Sequence, residues 1–331
     1  MVHDPSPDDM GAWFSREIAP RVPHDALHLI GMNPVTGTVS FGFWHRYERE
    51  FARAEMLNCY LGDDPFRPTE LARRPVPVAM LRADAGGDGA DGGLRAREIL
   101  KEHGMGCELR LALRDAHGVW GTLCLFREEG CPVFQPEEAD RLRQLAPTLT
   151  AALRGYVRAG PWLPAGPPPP PGVILIGGDH TVRAVTAEAR AWLRELPSEW
   201  LSSPEWAAAM LASEVSAAEP EAPGPQPMIC VPAALAGRWV ALQGQPLSGA
   251  GEVAVVVQAA SGDVLLPIFA AWYGLTPRER DVVALLRTGR APKQIAHRLG
   301  LSPYTVNDHL KSIFRKTRTS GRDELIAVLG G

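Results

Sequence analysis

Between Ser302 and Arg318 the chain sets six polar side chains at helical spacing: Tyr304, Asn307, Asp308, Lys311, Arg315 and Arg318. At about 100° per residue they fall on one side of a helix. Val306, Leu310, Ile313 and Phe314 share a sector of roughly 100° on the other side and must face a core. The outward stripe holds an amide, a carboxylate, an ammonium and guanidinium groups. Such a mixture of donors and acceptors can read base edges in a major groove. Lys293, Tyr304, Thr305 and the N–H groups near Ser302 are placed to hold phosphates, and Arg315 is assigned to the same task. A solvated polar helix face is the competing reading of the same stripe.

Three short elements must position that helix. Thr276-Pro-Arg-Glu279 is a capping box with proline at the first helical position, so the threonine hydroxyl and the glutamate satisfy each other's ends of the first turn. Val282, Leu285 and Leu286 give that helix one apolar face, and Gly289 permits its left-handed end. A second helix starts at Pro292 and buries Ile295, Ala296 and Leu299. Gly300 supplies a tight turn and Ser302 caps the third helix. Small Ala296, turning Gly300 and buried Val306 meet the steric needs of two helices crossing near a right angle.

The charge is divided unevenly. The net value is −4, yet from Leu275 onward there are 11 basic and 5 acidic residues, leaving 23 basic and 33 acidic in the rest, so +6 sits beside −10. Three of the four lysines (Lys293, Lys311 and Lys316, but not Lys101) lie in that tail. A basic module on an acidic body suits a polyanion-binding domain with a separate function attached. Together with the capping box and the turn glycine, this charge weighs against a merely solvated face.

The segments Leu275-Thr-Pro-Arg-Glu-Arg-Asp-Val-Val, Gly289…Lys293-Gln-Ile-Ala296 and Leu299-Gly-Leu-Ser-Pro-Tyr-Thr-Val-Asn-Asp-His-Leu-Lys311 resemble the LuxR/FixJ-type C-terminal domain over about the last 60 residues. The resemblance implies an all-α four-helix domain with Ser302 to Thr317 as recognition helix and Gly321 to Val328 as a candidate dimerisation helix. It also implies that Asn307, Asp308 and Lys311 read bases while Lys293, Tyr304 and Thr305 contact the backbone. Asp308 departs from the apolar or neutral residue often found there. A carboxylate near phosphates is repelled, so it must accept from cytosine N4 or restrict the site.

A chain of 331 residues suggests two or three domains. The boundaries read as 1–158, a proline-rich linker at 159–172 that favours polyproline II, 173–262, a connector at 263–274, and 275–331. In the first region strands are expected at Ala26–Met32 and Val39–Trp44 around an Asn33–Gly37 turn, with a helix at Arg46–Asn58. A mobile loop at Ala83–Gly93, a helix at Leu94–Glu102, a hairpin of Cys107–Arg114 with Val119–Phe126, and a long helix at Pro136–Val157 follow. Pro147 should kink or weaken that helix. Leu142, Leu145, Leu149 and Leu153 form a seam on it that core packing or dimerisation would equally explain. The second region reads as strands Gly172–Ile176 and Val182–Val185, helices Thr186–Leu196 and Pro204–Ser216, a disordered Ala217–Pro227 segment, then strands Met228–Pro232, Arg238–Gln245 and Glu252–Gln258. Strand and helix order make the first region similar to an α+β GAF sensor domain, helped by Trp120-Gly-Thr-Leu-Cys-Leu-Phe126. The second resembles a smaller α+β PAS domain.

Several chemistries find no support. No Gly-Lys dipeptide occurs, which excludes a Walker-type phosphate loop. No acidic pair and strand-end aspartate suit Lys101 as a phospho-receiver. G-x-S-x-G, H-E-x-x-H and zinc-like Cys/His spacings are missing. His103, Met105 and Cys107 could ligate haem but read better as structural, and Cys124 and Cys230 as small hydrophobes. No catalytic residue, metal or cofactor is therefore expected. An apolar run of bilayer length and a secretory signal are both lacking, so a cytoplasmic chain with no membrane association is expected. Its expected partners are double-stranded DNA, a second copy of the chain and an unidentified small-molecule or protein signal. In one reading the front domains gate DNA binding. In the alternative, a constitutive DNA-binding protein uses them only for protein–protein assembly. A filled apolar pocket near Trp44 or Trp120 would favour the first, and a solidly packed core the second.

Overall fold

The computed structural model describes residues 7–62, 64–84, 93–160, 166–196, 204–217, 226–248 and 251–329. Helix α1 (Pro7–Ile18) precedes strands β1 (Ala26–Met32) and β2 (Val39–His45). Next come α2 (Arg49–Leu61), α3 (Pro68–Arg73), β3 (Val78–Arg82) and α4 (Leu94–Glu102). The hairpin β4 (Met105–Asp115) and β5 (Gly118–Glu128) then leads to α5 (Pro136–Arg158). The five strands form one antiparallel sheet in the order β2-β1-β5-β4-β3. Most of the expected 83–93 loop lies outside the described residues.

One face of this sheet is apolar and is covered by α1 and α5. Leu27, Leu29, Leu109, Leu111, Leu123 and Leu125 alternate inward on β1, β4 and β5, as a half-buried antiparallel sheet requires. The leucine seam of α5 belongs to the same core: Leu142, Leu149 and Leu153 are fully buried and Leu145 is nearly so. Leu153 packs over Gly121 of β5, where a Cβ would come within 3.1 Å of it. The seam is thus spent inside the chain and leaves no stripe for a second copy. The helix runs unbroken through Pro147.

The opposite face carries charge. Arg110 on β4 donates through Nε to Glu108 at 2.6 Å and through Nη1 to Asp64 at 2.8 Å, with all three side chains buried. Helices α2 and α4 and the Asp64–Phe66 segment enclose this layer, which also holds Tyr47 hydrogen-bonded to Glu55. His28 stacks on Tyr47 with centroids 5.0 Å apart, and burial lowers its pKa to about 3, so it stays neutral.

The second unit comprises β6 (Gly172–Ile176), β7 (Val182–Val185), α6 (Ala187–Glu195) and α7 (Pro204–Ala217). After them come β8 (Met228–Val231), α8 (Ala233–Ala236), β9 (Val240–Pro246) and β10 (Val253–Ala259). Its sheet runs β7-β6-β10-β9-β8 and so repeats the strand order of the first. The proline run ends docked on this unit, since Trp192 Nε1 donates to the Pro170 carbonyl at 2.9 Å. Most of the expected 217–227 disordered segment lies outside the described residues. Edge strands β2 and β8 adjoin. The Cys230 N–H donates to Ser40 Oγ at 3.0 Å, and Asn33 Nδ2 donates to the Met228 carbonyl at 3.1 Å.

The stretch read as a connector is a helix, α9 (Gly262–Tyr273), with seven buried residues. Its apolar content reflects where it sits. Trp272 packs 5.1 Å from Trp120 and 6.1 Å from Phe41, centroid to centroid. Arg158 Nε donates to the Trp272 carbonyl at 2.8 Å, while the Arg154 guanidinium lies 4.1 Å over Trp120. Trp120, fully buried, is therefore packed between the Trp272 ring and the Arg154 guanidinium. Gly274 closes the helix at φ 66°, a left-handed turn that suits glycine.

Candidate nucleic-acid interface

Four helices follow: α10 (Pro277–Arg287), α11 (Pro292–Leu299), α12 (Pro303–Thr317) and α13 (Arg322–Val328). The capping box on α10 is formed. Glu279 N–H donates to Thr276 Oγ1 at 3.2 Å, and Thr276 N–H donates to Glu279 Oε2 at 2.7 Å. Helix α11 has half of such a box: Ala291 N–H donates to Gln294 Oε1 at 2.9 Å, and the alanine has no side-chain acceptor to return it. Gly300 turns at φ 64° and the Leu301 N–H returns to the Ala296 carbonyl, as the tight turn requires. Ala296 and Val306 are buried at the crossing of α11 and α12. Ser302 caps α12 by accepting from Thr305 N–H at 3.1 Å.

On α12 the two faces separate as the spacing predicts. Val306, Leu310, Ile313 and Thr317 are buried, with Phe314 half-buried. Tyr304, Asn307, Asp308, Lys311 and Arg315 are exposed, Tyr304 at 83%. Arg318 is exposed beyond the last turn, at φ 58°. Lys293 is exposed on α11, where it lines one shallow depression with Arg290, His297 and Arg298. The stripe on α12 and the basic depression on α11 are both open to solvent.

Two contacts within this segment escape sequence reasoning. Lys316 Nζ donates to Glu279 Oε2 at 2.6 Å, so the capping glutamate also ties α10 to α12. Burial alone would raise the Glu279 pKa. The Lys316 ammonium and the Thr276 N–H outweigh it and hold the carboxyl below its ordinary value. The second contact is the pairing of Asp308 with Lys311, 3.6 Å apart on the exposed stripe. Helix α13 turns Leu325 inward, and Leu329 just beyond it is also buried; the Leu329 carbonyl accepts from Gly262 N–H at 2.9 Å. The C-terminal module is thereby held to the start of α9, an attachment that Arg287 and Asp263 reinforce at 3.1 Å.

No group of three or more His, Cys, Asp or Glu side chains that could hold a metal occurs among the described residues. His103 stacks on Phe51 instead. None of the described helices is long and apolar enough to cross a membrane.

Two helices crossing at a tight glycine turn, the second carrying an exposed polar and basic stripe, define a helix-turn-helix module. Residues 274–329 match the model of the bacterial regulatory proteins of the luxR family, so the C-terminal segment is a LuxR-type helix-turn-helix domain. An HTH-type transcriptional regulator of Mycobacterium bovis is 46% identical over 55 residues, 17% of this chain and 6% of that protein. The monoamine regulon transcriptional regulator of Klebsiella aerogenes is 43% identical over 53 residues, 16% of this chain and 23% of that one. The match therefore spans less than a quarter of either relative, and both carry the names of regulators rather than enzymes. A GAF domain/HD domain protein from Geobacter sulfurreducens aligns over 45% of this chain and 92% of its own, at 17% identity and a TM-score of 0.34. At that score the likeness assigns neither front unit to a named family.

Proposed function

We propose that the chain is a sequence-specific DNA-binding regulator of transcription, in which the two front units gate DNA binding in answer to a small ligand or protein partner. The observation that carries this reading is the exposed stripe of α12 on a helix-turn-helix frame whose caps and crossing are complete. In it Asn307, Asp308 and Lys311 read bases. Lys293, Ser302, Tyr304, Thr305 and Arg315 hold phosphates on either side. The front units act as a GAF-like and a PAS-like sensor, and the active species is a homodimer on paired half-sites in the cytoplasm. Gating has a physical route, because α9 is anchored at Trp272 to the first sheet and at Gly262 to α13.

Solid packing around Trp120 favours a second reading for that side of the first unit, in which it serves assembly alone. Titration of the full chain against duplex DNA at rising salt tests the proposal's core. Log affinity is expected to fall linearly with log salt, by about 0.9 for each phosphate neutralised. A flat response would remove the phosphate contacts and the reading with them.

A further inference from the structure

A cavity of about 450 Å³ opens between the two front units, a size suited to a small metabolite. One wall comes from the first unit, through the β1–β2 turn and the Arg67–Arg73 segment, and the other from α7. The walls differ in charge. Arg67 and Arg73 are the cations on the first, and Glu214 is the carboxyl on the second. Among the described residues neither arginine has an ion pair within 4.0 Å; Arg67 donates only to the Gly62 carbonyl at 2.8 Å. Among the described residues Glu214 likewise has no cationic partner, and it accepts from Thr38 Oγ1 at 2.8 Å. Burial lifts its pKa to about 7. Arg67, half-buried, and Arg73, exposed, both reach water and keep their charge, and Glu214 lines the other wall of the same cavity, so a ligand carrying both signs meets a partner for each.

We infer that this cavity binds a zwitterion of the α-amino-acid class, its carboxylate on Arg67 and Arg73 and its ammonium on Glu214. A plain carboxylate would satisfy the arginines but sit against the glutamate, and an amine would do the reverse. The ligand spans both units, so its binding reinforces the seam that Thr38 and Glu214 already make. Cys59 on α2 and the two arginines are the titratable groups that share the cavity with Glu214. Strands β6, β9 and β10 beneath α7 carry no charged residue, and helix α2 beside it carries Arg49, Glu50, Arg53 and Glu55, none of which lines the cavity. The ammonium contact therefore depends on ionised Glu214 and weakens as pH falls through about 7.

Calorimetric titration of the full chain, without DNA, with each of the common L-amino acids tests the site and can fail while DNA binding stands. One amino acid is expected to bind one per chain, and the same carbon skeleton lacking the amine to bind at least about tenfold more weakly. Its affinity should drop about tenfold from about pH 8 to about pH 6, following the ionised fraction of Glu214. Glu214→Gln, which preserves shape and the Thr38 contact, should weaken binding and flatten that pH dependence. Arg73→Gln at an exposed position should weaken it without changing the fold. Absence of any amino-acid binding would overturn the site. So would binding indifferent to Glu214→Gln, a deaminated acid binding equally well, or affinity that rises in acid.

Discussion

Lys311 and Asp308, two of the three residues proposed to read bases, face each other at 3.6 Å in full contact with water. An exposed pair of this kind is weak and yields readily to a stronger partner. Lys311 can leave it for a guanine edge, whereas Asp308 then faces the phosphates with its charge uncompensated. Asp308→Asn is accordingly expected to tighten binding to every duplex at low salt, several-fold in a filter or anisotropy titration. Unchanged non-specific affinity would show that the carboxylate is kept away from the backbone. Lys293→Ala should act in the opposite sense. It weakens all sequences alike and lowers the salt slope by about one.

At the scale of elements the frame of the site depends on Glu279, which closes the α10 cap and holds Lys316 of α12. The sign of its pH effect follows from its lowered pKa. A carboxyl depressed in the folded state adds stability above its unfolded value, about 4.3, and loses that contribution as pH falls through the folded value. Glu279→Gln is thus expected to melt earlier than the parent at neutral pH, with the gap closing in acid. A gap of constant size down to low pH would mean the charge contributes nothing. Helices α10 to α12 were legible in the sequence because their signals are local: a capping box four residues long, a glycine at each turn, an apolar face at helical spacing. The Glu279–Lys316 pair joins residues 37 apart, and no local pattern marks it. Helix α9 was read as a connector because it is apolar almost all round and shows no amphipathic period, the mark of burial on every side.

For the whole molecule, strand positions in both front units were read closely except for the short edge strand β3, which the sequence reading left out, while the shared order of the two sheets was invisible because no residue pattern repeats with it. The charged layer of the first sheet was missed for a related reason. Glu108 and Arg110 alternate with buried leucines as a solvent face does, and only the helices laid over them reveal an interior. Helix α9 packs between the first unit and the C-terminal module. Trp272→Ala, emptying a site between Trp120 and Phe41, is expected to cost about 3–5 kcal/mol and to split a single calorimetric transition into two. One transition at nearly the parent temperature would show that α9 does not couple the parts. Base reading by α12 is put to the test by selection from random duplexes, with the full chain and with its Lys311→Ala variant. The parent should converge on one motif. The variant should lose preference at a single position, at a cost of about 1–3 kcal/mol on the parent's site. No convergence by the parent, or an identical motif from the variant, would contradict it.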